Sequence, residues 1–112
     1  MKETQESLSA ALWAARVNGT ILPKPEETLL GDGYAVQSEI VEHSGEKQIG
    51  WKVGSTSTQA QARLGTTEPG AGALLERYCF RDGDEVPVFE SHGPAIEVEF
   101  AFTLATSLEP RD

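Results

Sequence analysis

Two glutamates and a lysine are the residues of this chain whose types and surroundings invite chemistry. Residues 94–104 read Pro-Ala-Ile-Glu-Val-Glu-Phe-Ala-Phe-Thr-Leu, with large apolar side chains at Ile96, Val98, Phe100, Phe102 and Leu104 and polar or small residues between them. That alternation predicts a half-buried strand from Pro94 to Leu104. Successive side chains on a strand point to opposite faces, so Glu97 and Glu99 share one, with Cα atoms about 6.6 Å apart. Two carboxylates at that spacing repel each other unless solvent screens them or a cation or donor lies between them. Their oxygens suit a hard divalent cation such as Mg2+, and small Ala101, next on the same face, leaves room for a ligand. A solvated strand face carrying two glutamates is the commoner use of such a pattern, and the spacing alone leaves both readings open.

The lysine is Lys52. Gln48 to Gly54 (Gln-Ile-Gly-Trp-Lys-Val-Gly) has a strand's composition with two glycines in it. Glycine in a strand marks a bulge or a close approach of another backbone or a ligand. Ile49, Trp51 and Val53 fall on one face, which puts Lys52 on the other. Hemmed in by Gly50, Trp51 and Gly54, Lys52 is a candidate for a partly desolvated ammonium that binds or protonates an anionic substrate. A solvated lysine on a sheet face fits the same residues equally well.

Other elements must position these three. Ser7 to Asn18 reads as a helix, rich in alanine, with Leu8, Leu12 and Ala15 near helical spacing, Trp13 and Arg16 on its flank and Gly19 placed to end it. Pro23 and Pro25 bar a regular continuation. A second helix firms up from Tyr34, with Val36, Ile40 and Val41 apolar; Gly31 and Gly33 loosen its start, Asp32 can cap it, and Ser44-Gly45 closes it. Gln37 reads as a surface residue of that helix. Ser55 to Gly72 is rich in Ser, Thr and Gly, with a short helical piece from Gln59 to Leu64 and a tight, glycine-dependent loop from Thr67 to Gly72. Short extended pieces follow at Ala73 to Leu75 and Glu85 to Phe89, separated by the turn signal Arg81-Asp82-Gly83-Asp84. His92 could ligate a metal, but in a Ser-His-Gly-Pro setting it reads first as a loop residue.

Composition bounds the class. A chain of 112 residues makes one small domain, and 38% hydrophobic with 24% charged residues is the composition of a soluble globular protein. Eighteen acids against nine bases give a net charge of −9, which excludes general affinity for nucleic acid phosphates and disfavours an anionic membrane surface. The single cysteine, Cys79, flanked by Tyr78 and Phe80, reads as a small buried hydrophobe and rules out an intramolecular disulfide. No apolar run approaches a membrane span, and the N-terminus lacks a signal-peptide layout, so the expected setting is the cytoplasm. There is no Walker-type glycine loop, no Cys/His zinc spacing and no nucleophile elbow.

Four segments, taken in order, carry a resemblance. They are Gly33-Tyr34-Ala35-Val36-Gln37; Gly50-Trp51-Lys52-Val53-Gly54 running into Ser55-Thr56-Ser57; Leu64-Gly65 with Glu68-Pro69-Gly70-Ala71-Gly72-Ala73-Leu74; and Pro94-Ala95-Ile96-Glu97-Val98-Glu99-Phe100-Ala101-Phe102. Together they resemble the N-terminal part of the 2-keto-4-pentenoate hydratases, a branch of the fumarylacetoacetate hydrolase superfamily. The resemblance implies an α+β fold, N-terminal helices leading into strands of a mixed β roll. It implies Glu97 and Glu99 as ligands of Mg2+ or Mn2+, and Lys52 as the residue that binds or protonates a small 2-keto acid in the hydration of a 2-hydroxydienoate, a step of aromatic-compound catabolism. The decarboxylase branch, 4-oxalocrotonate decarboxylase-like, shares this metal and lysine. Ser55 departs from the family's Gly-Leu-Thr-Ser pattern, and His92 stands where the family has an apolar residue. The family's third acidic ligand lies further along its chain than Asp112. The expectation is therefore a fragment inactive alone, a non-catalytic accessory piece, or a site completed in a homo-oligomer or by another chain.

Overall fold

The computed structural model describes residues 4–25 and 32–111. Gly31, expected to loosen the second helix, lies outside them. Among the described residues the architecture is α+β: three α-helices and one two-stranded antiparallel sheet, in the order α1 (Gln5–Asn18), α2 (Gly33–Ser44), β1 (Gln48–Gly54), α3 (Thr58–Leu64) and β2 (Gly70–Leu75). Short 3-10 helices follow at Glu76–Tyr78 and Glu90–His92.

Each α-helix begins at a side-chain cap. Thr4 is extended, its hydroxyl accepts from the Ser7 amide at 3.2 Å, and the Thr4 amide donates to Ser7 Oγ at 2.8 Å. This reciprocal box satisfies two of the orphan donors of the first turn and starts α1 two residues earlier than the alanine pattern predicts. Asp32 caps α2 through the Ala35 amide at 3.0 Å, and Ser57 caps α3 through the Ala60 amide at 3.1 Å. All three helices end on glycines in the left-handed region, Gly19, Gly45 and Gly65.

The core is small and lies where α1 meets α2 and the end of β2. Leu8, Ala15, Val36 and Leu75 are its buried apolar residues, and Ser9, fully buried, donates from Oγ to Glu39 Oε2 at 2.6 Å. Burial of one such large apolar side chain stabilises by about 2 kcal/mol. Trp13 and Arg16 on the flank of α1 grip Tyr78: the Trp13 and Tyr78 rings meet edge to face at 6.3 Å, and the Arg16 guanidinium lies 4.3 Å from the Tyr78 ring centre. This clasp ties the end of the hairpin to the helix pair.

The sheet pairs Gly50 with Leu74, Lys52 with Gly72 and Gly54 with Gly70, with an irregularity between Gln48 and Gly50. The glycine signal in β1 therefore marks a bulge, not a tight approach: a Cβ at Gly50 would meet Leu74 at an ordinary 3.6 Å and one at Gly54 would meet nothing. Residues 70–72, expected in a loop, are the first half of β2, because pairing with β1 overrides their weak strand propensity.

Beyond the hairpin the expectations from pattern need correcting. Glu85 to Phe89 forms no strand, and the predicted strand from Pro94 to Leu104 has no ladder partner among the described residues. Its apolar side chains are bare, Ile96 and Phe100 each 95% exposed. Cys79 is exposed rather than buried, its Sγ 3.4 Å from the Leu75 carbonyl. The Arg81–Asp84 turn does form, closed by the Asp84 amide on the Arg81 carbonyl at 3.0 Å and by Asp84 Oδ2 on the Arg81 amide at 2.8 Å.

Candidate active site

Lys52 reaches the site from the middle of β1, on the face opposite Ile49, Trp51 and Val53. The face it shares with Gly50 and Gly54 is the less exposed of the two, and Trp51 on the other face is 60% exposed. Pairing with Gly72 fixes the backbone from which the lysine springs.

Glu97 and Glu99 reach the same point from a segment that makes no sheet. Two tethers deliver it. The first is at the end of α1, where the Phe89 ring lies against Gly19, Ser91 Oγ donates to the Gly19 carbonyl at 2.5 Å, and His92 Nε2 lies 2.9 Å from the Thr20 carbonyl. His92 ends the short 3-10 helix, its ring edge to face with Phe89 at 5.5 Å. Gly19 is needed twice over. Its φ of 68° is a conformation L-residues avoid, and any Cβ there would overlap the Phe89 ring. Gly93 caps this anchored 3-10 turn, and Pro94 follows it.

The second tether is Lys52 itself. Its ammonium donates to Glu97 Oε2 and, at 3.2 Å, to Glu99 Oε1. The two carboxylates that alternation places on one side of the segment therefore do converge, and the cation between them is the lysine. All three sequence-predicted site residues meet, across 45 and 47 positions of chain.

The electrostatics of Lys52 differ from the desolvated ammonium expected from its neighbours. Its side chain is 42% exposed. Hydrogen bonding to Glu97, then to Glu99, holds its pKa above the ordinary lysine value, and the opposing effect of burial is smaller. At neutral pH it is a protonated cation, fit to pair with an anion and unfit to act as a base.

Pattern reading missed one contributor. Gln37, expected at the surface of α2, is half-buried and bonds the backbone of β2: its Nε2 donates to the Ala71 carbonyl at 3.1 Å and its Oε1 accepts from the Ala73 amide at 2.5 Å. Tyr34, one turn earlier, accepts from the Ala71 amide at 3.1 Å. The sequence signal for this is the i, i+3 spacing of two polar-tipped residues on α2.

A lysine clamped by two carboxylates on an α+β frame is an arrangement for handling a small anion or a cation. The chain is 30% identical over 114 aligned residues to the 2-keto-4-pentenoate hydratase of Paraburkholderia xenovorans, a match taking in 96% of this chain and 42% of that protein. It is 41% identical over 96 residues to the 2-oxo-hept-4-ene-1,7-dioate hydratase of Escherichia coli, covering 83% of this chain and 36% of the relative. To the 2-keto-4-pentenoate hydratase of Burkholderia vietnamiensis it is 33% identical over 109 residues, 91% of this chain and 42% of the other. No family model and no solved structure matches it. Most of this chain is thus similar to proteins named 2-keto-4-pentenoate hydratase, and it spans about two fifths of the length of the curated relatives it matches. No described helix is long and apolar enough to cross a membrane.

Proposed function

We propose that this chain supplies one wall of a divalent-metal-dependent hydratase site that adds water to a 2-hydroxydienoate or its 2-keto tautomer. Glu97 and Glu99 are the metal's carboxylate ligands, and Lys52 is the cation that handles the substrate. The observation that carries the reading is the convergence of Glu97 and Glu99 on one cationic point, the Lys52 ammonium.

The donor set fits Mg2+ or Mn2+ in kind. Both groups are hard oxygen donors, and they already share a cation. It falls short in number, since no third His, Cys, Asp or Glu joins them among the described residues. An octahedral ion would draw its other oxygens from water, from substrate or from elsewhere in the protein. When bound, such an ion supplies Lewis-acid polarisation of the 2-keto oxygen.

The chain's own part is electrostatic. Water's oxygen bonds to C4 of the α,β-unsaturated keto acid, the C3–C4 π electrons move toward the keto oxygen as an enolate, and C3 then takes a proton. The product is a 4-hydroxy-2-keto acid with one water added and nothing oxidised. The protonated Lys52 Nζ is the cation that faces the developing negative charge and pairs with the substrate carboxylate. Glu97 and Glu99, besides binding the metal, hold the ammonium in place before substrate arrives.

Equilibrium Mn2+ binding tests the reading. Glu97→Gln and Glu99→Gln should each weaken binding by about tenfold or more, while Glu68→Gln, an acid outside the group, leaves it unchanged. Equal affinity in all four proteins would sink it. If turnover of a dicarboxylic 2-keto-enoate of the 4-oxalocrotonate type instead released carbon dioxide and left a 2-hydroxydienoate, the chemistry would be decarboxylation.

A further inference from the structure

The outer edge of β2 is closed by side chains in place of a strand. In the two-stranded sheet β2 pairs with β1 on one edge. On its other edge the carbonyl of Ala71 and the amide of Ala73 turn toward α2, where they would be unpaired without Gln37. The carboxamide accepts one hydrogen bond and donates the other, as an opposing strand residue does. It straddles Gly72, the residue paired with Lys52. A continuous line of contacts thus runs from α2 through Gln37, across Gly72, to Lys52 and on to Glu97 and Glu99. Gly72 itself has no side chain to pack, so what holds this part of β2 in place laterally is the helix-borne amide together with Tyr34.

We propose that Gln37 is the positioning residue for Lys52: by clamping the backbone on both sides of Gly72 it fixes the strand pairing that aims the ammonium at the two carboxylates. Gln37 touches none of the reacting groups and acts only through β2 and β1. The inference rests on the reading of Lys52, Glu97 and Glu99 as the site, but its test needs no metal.

The test reads the Lys52 ammonium by 15N–1H correlation in lysine-labelled protein, the signal being assigned by its loss in Lys52→Met. In Gln37→Leu the Lys52 ammonium protons should exchange with water about tenfold faster, the Lys47 ammonium serving as an unmoved control and the helical circular dichroism being retained. Gln37→Glu keeps the acceptor for Ala73 but sets an oxygen against the Ala71 carbonyl, so its change should be smaller and in the same direction. Should Gln37→Leu not fold, Tyr34→Phe removes a single hydrogen bond from the same edge and should speed the exchange by about twofold. Faster amide exchange at Ala73 with an unaltered Lys52 signal would overturn the proposal, leaving Gln37 as a brace of β2 alone. So would an unaltered signal in both Gln37→Glu and Tyr34→Phe. Failure of the protein to bind Mn2+ would instead count against the hydratase site and leave this coupling standing.

Discussion

Residues 5–78 and residues 79–111 carry hydrophobic patterns of similar strength and use them in opposite ways. In the first region Val36 is 5% exposed, closed in by α1, and in the second Ile96 is 95% exposed with nothing over it. The difference lies in what each pattern needs. A helix satisfies its own backbone and needs only one neighbouring face, which α1 and α2 give each other across a short stretch of chain. An alternating segment satisfies neither its backbone nor its apolar face without a strand beside it, and residues 94–104 have none among the described residues. Periodicity states which side chains seek burial. It does not state whether a partner surface is present. The site straddles the two regions, with Lys52 in the first and both glutamates in the second, so its geometry depends on the Gly19 and Lys52 tethers rather than on a shared sheet.

The comparison breaks most sharply under charge insertion. Val36→Asp places an unpaired carboxylate between α1 and α2 and should cost about 3 kcal/mol or more, abolishing the cooperative thermal transition followed by circular dichroism. A full transition in that variant would mean the helix pair is not the core. Gly19→Ala comes next: a strained left-handed alanine whose Cβ displaces Phe89 should cost about 1–2 kcal/mol and loosen the segment that carries Glu97 and Glu99. An unchanged midpoint there would remove the first tether from the account. The smallest effect belongs to Phe100→Asp, expected within about 0.5 kcal/mol of the parent because the ring covers no core. A large loss would show that residues 94–104 pack after all.

Much of this was legible in the sequence, and the limits are physical. The ends of α1 and α2 at Gly19 and Gly45, the Asp32 cap and the whole span of β1 follow from local rules, because caps and strand propensity act over a few residues. The start of α1 was displaced by a Thr4–Ser7 box that lacks the usual acidic partner. The pairing of Gly70-Ala71-Gly72 was hidden, since glycine-rich sequence is loop-like until a neighbouring strand claims it. For the site, the residue types and the shared side of Glu97 and Glu99 were readable from period two, whereas the raised pKa of Lys52 was not. Its sign turns on whether burial or two carboxylates wins, and only the tertiary meeting of β1 with residues 97–99 decides that. Gln37 was illegible for the same reason, its partners lying 34 and 36 residues away.

The central claim is that Lys52, Glu97 and Glu99 form one cation-handling site from two differently folded regions. Paramagnetic broadening of backbone amide signals by substoichiometric Mn2+ tests it most directly. The account predicts broadening centred on Lys52 and on residues 97–99 together, lost in Glu97→Gln. Broadening spread over the acidic surface, or confined to residues 97–99 with Lys52 untouched, would contradict it.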